Sequence, residues 1–200
     1  MAQTRDSVVE DPQQIAVLAS PARIEIMDTL EALGNAVSVS ELAQHLGRAA
    51  DGLYYHLRQL ADAGLIEEHV GAEGRRYRTR TRAGNRLRLR YKPGKTPNAR
   101  AVRSVAATIA RVAERDFARA LADPDTVVEG ARRQLWAARG KGWVSAEELV
   151  EINRLLNRLM DILLAPRTAQ RTHLLALSWV LAPVDPKPAR RGRPRKKDPA

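Results

Sequence analysis

"SVSELAQHLGRAADGLYYHLRQLADAGLIEEHVGAEGRRYRTRTRAG" is the sequence of residues 38–84, and its hydrophobic period changes from helix-like to strand-like partway along. In the first part, apolar residues recur every three or four positions, which predicts two helices. Ser38 or Ser40 would cap the first helix, and Gly47 would end it. With residues 47–50 as a tight turn, the pair predicts a helix-turn-helix. The residues that set the period are Leu42, Leu46, Leu53, Leu57 and Leu60.

The second of these helices, residues 50–63, has a polar face opposite its leucines, because successive residues are rotated by about 100°. In a helix-turn-helix, this helix enters the major groove of DNA. Tyrosines can contact thymine methyl groups and phosphates, although Tyr54 or Tyr55 could instead pack against the scaffold. The predicted major-groove residues are Arg48, Asp51, Gly52, Tyr54, Tyr55, Arg58 and Gln59.

The second part of the stretch alternates with a period of two, which is typical of a β-hairpin. Residues 65–70 and 75–82 predict its strands, and residues 71–74 predict the turn. Arginines at alternate positions share one face of the return strand, and Tyr77 with two threonines shares the other. Such a hairpin is a wing, whose arginines can lie along a phosphate backbone or at the edge of the minor groove. The predicted DNA-binding residues of the wing are Arg75, Arg76, Arg78 and Arg80.

Apolar residues also recur at helical spacing before and after this stretch. Residues 12–33 predict two helices that meet at "SPAR", residues 20–23, where Ser20 would cap the second helix and Pro21 would lie in its first turn. The prolines and glycine of residues 91–100 predict a linker. Residues 101–122 predict an alanine-rich helix with a narrow apolar stripe of the kind that packs on another helix. The stripe consists of Val102, Val105, Ile109 and Val112.

The remaining folded part predicts a small α+β unit. Residues 131–144, which contain two of the three tryptophans, predict a strand. "SAEE" at residues 145–148 is a capping box that opens a helix, and "THLLALSWVLAPV" at residues 172–184 predicts a buried strand. The tryptophans fit a core better than a pocket, although an effector pocket lined by them stays open as an alternative.

Positive charge is concentrated in two segments. The chain has a formal net charge of +11, yet residues 1–74 carry four basic and twelve acidic side chains, a net of −8. Residues 75–100 carry eleven basic and no acidic side chains, and residues 190–200 carry six basic and one acidic. Clustered positive charge attracts polyanions and releases counterions on binding phosphates, so this distribution predicts a nucleic-acid partner.

The last sixteen residues, 185–200, have the composition of a disordered segment and include "RRGRPRKK" at residues 190–197. A proline fixes an extended backbone, a glycine lets the chain reach the floor of a narrow groove, and arginines are drawn to A·T-rich minor grooves. The segment resembles the core of an AT-hook; the alternative is a nonspecific polybasic tail. The resemblance implies minor-groove contacts from Arg191, Gly192, Arg193 and Pro194.

Residues 12–90 resemble the winged-helix domain of the ArsR-type bacterial repressors. The resemblance is carried by "LASPARIEIMDTL", "SVSELAQHLG", "YYHLRQLADAGLIE" and "GRRYRTRTRAG". It implies a transcriptional regulator, joined into a homodimer by the helix after the wing, that reads a palindromic operator in double-stranded DNA. Metal-sensing members carry a cysteine motif or His and carboxylate ligands. This chain has no cysteine, and Glu41 and His45 are spaced like an exposed helix contact, so we expect no metal and no cofactor.

Together these observations predict a mainly α, α+β chain with five parts. A winged helix-turn-helix DNA-binding domain is followed by a dimerisation helix and a small α+β C-terminal unit. The predicted order is a flexible N-terminus (1–11), the DNA-binding domain (12–90), the linker (91–100), a dimerisation and effector domain (101–184) and a disordered basic tail (185–200).

Other functions are less consistent with the sequence. It contains no Gly-rich phosphate loop and no nucleophile elbow, so we expect no enzyme activity. It has no secretion signal and no apolar run long enough to cross a bilayer, so we expect a cytoplasmic, nucleoid-associated protein. Two alternatives stay open: an architectural protein that coats A·T-rich DNA, and a sensor of an unidentified small molecule that uses the winged helix as an address.

Overall fold

A computed structural model describes residues 7–72, 74–80 and 87–184. These residues form six helices and five strands. The helices are α1 (Pro12–Val17), α2 (Pro21–Leu33), α3 (Val39–Leu46), α4 (Asp51–Asp62), α5 (Pro97–Ala122) and α6 (Ala146–Leu163). The strands are β1 (Ser7–Val9), β2 (Val37–Ser38), β3 (Ile66–Gly71), β4 (Gly74–Thr79) and β5 (Leu87–Leu89).

Side-chain caps fix where the first helices begin. Asp11 accepts a hydrogen bond of 2.9 Å from the backbone N–H of Gln14 at the start of α1. At the start of α3, the Ser38 hydroxyl accepts from the N–H of Glu41 at 3.2 Å, and the Glu41 carboxylate accepts from the N–H of Ser38 at 2.7 Å. Gly47 ends α3 with a φ of 61°, which a glycine adopts without strain. The two helices that meet at "SPAR" and the cap at Ser38 are therefore confirmed, whereas the Ser20 side chain makes no capping hydrogen bond at the start of α2.

The core lies between α1, α2, α3, α4, the first half of α5 and the sheet. Helix α4 contributes only one face to it, because its apolar residues follow the helical period. Each fully buried leucine stabilises the fold by about 2 kcal/mol. The most deeply buried apolar side chains are Ile15, Ile26, Leu30, Leu42, Leu53, Leu57, Leu60 and Leu65.

The wing is an antiparallel sheet in the order β2-β4-β3. Its register places Ile66 opposite Thr79 and Glu67 opposite Arg78. Tyr77 and Thr79 face inward and are buried, and the alternate positions face outward. The predicted alternation is confirmed, although β4 ends at Thr79 and residues 81–86 lie outside the described part.

A second, smaller sheet pairs β1 with β5 in parallel, with Val8 opposite Arg88. Val9 is buried in the core, and its carbonyl accepts a hydrogen bond of 2.8 Å from the N–H of Arg90. The structure differs from the prediction here, because Ser7–Val9 lie within the predicted flexible N-terminus. The parallel pairing holds them on the domain.

Helix α5 packs against α1 and α2 of the same chain. Ala101 and Val105 belong to the core, Val112 is also buried, and Val102 and Ile109 pack at the edge of the core. The stripe therefore packs on other helices, as its spacing predicts, and these helices lie within its own chain. The helix also begins earlier than predicted, inside the expected linker.

The C-terminal half requires a correction. Neither residues 131–144 nor residues 172–184 form a strand, and α6 is the one regular element after α5 in the described part. The tryptophans expected in a core are exposed, Trp143 by 91%. A strand exists only when another strand accepts its hydrogen bonds, and none is provided to these segments. The fold class is confirmed as mixed α and β with a helix-turn-helix and a three-stranded sheet.

The described residues include no helix both long and apolar enough to cross a membrane.

Asn98, in the first turn of α5, joins this helix to the N-terminal sheet. It is 2% exposed. Its side-chain amide donates to the carbonyls of Glu10 at 2.9 Å and Arg90 at 3.1 Å, and its oxygen accepts from the N–H of Lys92 at 2.8 Å. One buried side chain thus satisfies three backbone groups from two segments.

Replacing Asn98 by alanine should lower the free energy of unfolding by about 2–3 kcal/mol, because it leaves buried backbone groups unpaired. Urea unfolding followed by circular dichroism measures the change. Asn153→Ala on the exposed surface of α6 is the matched control and should change stability by less than about 0.5 kcal/mol. Equal effects of the two substitutions would contradict the proposed role of Asn98.

Candidate nucleic-acid interface

The outward face of α4 carries most of the residues predicted to contact the major groove. Tyr54 and Tyr55 are 48% and 63% exposed, so neither is packed into the scaffold. Asp51, Gly52 and Arg58 are also exposed, and Gln59 is half-buried. The alternative in which one tyrosine belongs to the core is therefore wrong. The face combines donors, acceptors and aromatic edges on a rigid helix.

Arg48 lies in the turn between α3 and α4, and its side chain is held by a residue of the scaffold. Its guanidinium forms an ion pair with the Glu25 carboxylate of α2. Arg115 of α5 binds the same carboxylate at 2.7 Å and also binds Asp116 at 2.8 Å. Glu25 thus links the turn to two helices of the scaffold, and Arg48 is partly engaged in holding α4 in place.

His56 lies behind the tyrosines on α4. Its ring meets that of Tyr55 edge to face, with centroids 5.4 Å apart and an interplanar angle of 67°. Its Nδ1 is buried and has no hydrogen-bond partner among the described residues. Burial lowers the pKa of His56, and the positive charges of Arg23 and Arg48 lower it further. A neutral imidazole therefore supports Tyr55 from the side.

The wing adjoins α4 at Tyr54. The side chains of Arg75, Tyr77 and Tyr54 lie close enough to one another to interact electrostatically. Burial raises the pKa of Tyr77, so its phenol keeps its proton. The outward face of α4 therefore adjoins the wing at Tyr54.

Each predicted wing arginine has a carboxylate within ion-pair distance. Glu67 binds two of them and also lies 3.5 Å from His69. Arg76 in addition donates to the Ala36 carbonyl at 3.1 Å, which ties it to the fold. The nitrogen-to-oxygen distances are 2.7 Å for Arg75–Glu68, 3.2 Å for Arg76–Glu41, 2.8 Å for Arg78–Glu67 and 3.7 Å for Arg80–Glu67.

The pKa values of two of these carboxylates, Glu67 and Glu41, are lowered. The hydrogen bond from Arg78 lowers the pKa of Glu67. Hydrogen bonds from the Ser38 backbone and hydroxyl lower the pKa of Glu41, and Arg76 adds to this effect. Three carboxylates therefore offset only part of the charge of the four wing arginines.

The carboxylates were missed as interface residues because the arginine row dominates the sequence signal. The hairpin register would have revealed Glu67, because it lies directly opposite Arg78. Glu41 could not have been found this way, since it reaches Arg76 from a different element. The tail residues predicted for the minor groove, 191–194, lie outside the described residues.

No group of three or more metal-ligating side chains that could hold an ion occurs in the part of the chain that the structure describes. The Glu41 carboxylate is instead occupied by the α3 cap and by Arg76.

An open depression on α3 contains none of the tryptophans. It is lined by Ser40, Glu41, Ala43, Gln44, Gly47 and Arg48.

Comparison with known families agrees with this geometry. A family model described as a helix-turn-helix domain matches residues 18–69, which cover α2, α3, α4 and the start of the wing. No curated protein matches the chain. The chain thus contains a helix-turn-helix domain, which supports a DNA-binding regulator.

Proposed function

We propose that the protein is an ArsR-like, sequence-specific transcriptional regulator that binds a palindromic operator as a homodimer. In this proposal α4 lies in the major groove, and the wing contacts phosphates beside it. The protein acts by binding rather than by catalysis, and it works with the nucleoid in the cytoplasm. Two half-sites would lie about one helical turn apart.

The outward face of α4 is the observation that carries the proposal. Its leucines are buried on one side, and this fixes Tyr54, Tyr55 and Arg58 on the other. An arginine can donate two hydrogen bonds to a guanine, and a tyrosine ring can pack on a thymine methyl group. We assign base reading to this face, with Gln59, Asp51 and Gly52 at its edges and Arg48 beside it.

The wing has a different role in the proposal. Arg75, Arg78 and Arg80 are exposed and held by carboxylates, so they can exchange these partners for phosphate oxygens. Such contacts position a protein on DNA without reading its sequence. The Arg76 guanidinium donates a hydrogen bond to the Ala36 carbonyl, so this arginine would both contact a phosphate and hold the wing strand in place.

The basic tail supplies a second contact in the proposal. Arg191, Gly192, Arg193 and Pro194 would enter an A·T-rich minor groove beside the operator. A tethered second site binds at a high effective concentration, so the tail raises affinity without changing the half-sites. An unidentified effector would act through residues 101–184.

The division of roles predicts different effects for Arg58→Ala and Arg78→Ala. Arg58→Ala should cost about 1–3 kcal/mol of binding and relax preference at one base pair of each half-site. Arg78→Ala should weaken binding to all sequences alike and reduce the salt dependence by about one counterion. The measurement is sequencing of duplexes selected from a random library at about 0.15 M salt, followed by salt titration.

Arg103→Ala on the exposed side of α5 is the matched control and should leave both properties unchanged. The roles are wrong if Arg78→Ala alters base preference or if Arg58→Ala does not. Recovery of A·T-rich duplexes without any half-site would instead support the architectural alternative.

The internal ion pairs predict that Glu67→Gln strengthens DNA binding. The substitution frees Arg78 and Arg80 and removes a negative charge beside the phosphates. Affinity should rise about three- to tenfold at low salt and by less at high salt, because salt screens exposed charges. Glu114→Gln on α5 changes the net charge equally and should leave affinity within about twofold. A gain from Glu114→Gln that equals the gain from Glu67→Gln would contradict the role of Glu67.

A further inference from the structure

Helix α6 is amphipathic, yet none of its residues is buried in the described structure. Its capping box is formed: the Ser145 hydroxyl accepts from the N–H of Glu148 at 3.2 Å, and the Glu148 carboxylate accepts from the N–H of Ser145 at 2.7 Å. In proteins, most of the stability of a helix comes from packing of its apolar face rather than from its intrinsic helix propensity. The apolar stripe has the alternating spacing of three and four that packs on a second helix. It consists of Leu149, Ile152, Leu156, Leu159 and Leu163.

Residues 172–184 present a second unpartnered apolar surface. Leu174 is 83% exposed, and Trp179 and Val180 are exposed beside it. Within the described ranges, no backbone hydrogen bond joins residues 174–184 to another segment. Extended apolar backbone without hydrogen bonds is a template for pairing with another strand.

The helix predicted to join two subunits is not available for this role along its stripe. Val105 and Val112 of α5 are buried within the chain, and Val102 and Ile109 pack at the edge of the core. The apolar side of α5 is therefore already used against α1 and α2. A contact between subunits therefore needs an apolar surface other than the stripe of α5. Helix α6 and residues 172–184 provide exposed apolar surface of this kind.

Charge and area favour a second copy as the partner of this surface. Residues 145–184 carry four acidic and four basic side chains, so their net charge is zero and two copies do not repel each other. A neutral surface does not attract DNA or a strongly charged protein. Eleven large apolar side chains between Leu149 and Val184 are exposed, leaving out Val150 on the opposite side of α6. Their combined exposed area is on the order of 1,000 Å² per chain, similar to one side of a standard protein interface.

We infer that α6 and residues 172–184 form the surface through which two copies of this chain associate. In a two-fold contact the same patch faces itself, so the α6 stripe packs on the α6 stripe of the partner. The backbone groups of residues 172–184 in the two copies then find hydrogen-bond partners in each other. This inference names the dimer surface of the proposed function, but its test requires no DNA.

The test compares Leu159→Gln with Val150→Gln in the full chain. Leu159 belongs to the stripe, whereas Val150 lies on the opposite side of α6, nine residues or about 180° away. Sedimentation velocity at about 1 to 50 µM should show a dimer for the natural sequence. Leu159→Gln occurs twice in a two-fold interface and should raise the dimer dissociation constant at least about tenfold. Val150→Gln should leave it within about twofold.

Circular dichroism should show the same helix-turn-helix unfolding transition for both variants, since both side chains are exposed in the single chain. Ile152→Gln, also in the stripe, should reproduce the effect of Leu159→Gln. A monomer for the natural sequence, an unchanged dimer for both stripe variants, or equal disruption by Val150→Gln would overturn the inference. A dimer that responds as expected yet binds no DNA would support the inference and contradict the proposed function.

Discussion

Leu53, Leu57 and Leu60 lie inside the core, and each is at most 1% exposed. Their burial fixes the rotation of α4 about its own axis, because a turn of the helix in either direction would bring polar side chains into the core and leucines into water. The opposite face must then point outward. Turning α4 is opposed by about 2 kcal/mol for each leucine, so the orientation of this helix is set within the single chain. In the proposed function, a helix whose orientation is already set loses little conformational freedom on binding.

The ion pairs around α4 and the wing act on this fixed frame. Glu25 connects the α3–α4 turn to α5 through Arg48 and Arg115. The carboxylates of the wing occupy the arginines that would face phosphates. Exposed ion pairs contribute little stability, so exchanging one for a phosphate is inexpensive. In the proposed function, the wing keeps its fold when an arginine exchanges a carboxylate for a phosphate, and the competing carboxylates limit its affinity for DNA.

The DNA-binding half could be predicted from the sequence because its signals are local. Leu53 and Leu57 repeat at the helical period, and Tyr77 and Thr79 alternate at the strand period, so both elements follow from neighbouring residues. The pairing of β1 with β5 joins positions about eighty residues apart and leaves no local pattern. The carboxylate of Glu41 likewise meets Arg76 only after α3 and β4 have packed.

The prediction of strands in the C-terminal half was wrong for a related reason. Residues 172–184 have the composition of a buried strand, but a strand needs a neighbour, and the described single chain provides none. The capping box at Ser145 was predicted correctly because it needs residues only three positions apart. Local sequence patterns thus identify a helix or an apolar segment, but they do not identify the segment that packs against it.

Methylation interference tests the central claim, that α4 reads bases in the major groove, most directly. The full chain would be bound to a selected duplex methylated either at guanine N7 in the major groove or at adenine N3 in the minor groove. If α4 reads bases, methylation of guanine N7 should block binding at two clusters of positions about one helical turn apart. Methylation of adenine N3 should block binding only in the flanking sequence. Interference from adenine N3 alone would contradict this claim, because the outward face of α4 would then play no part in recognition.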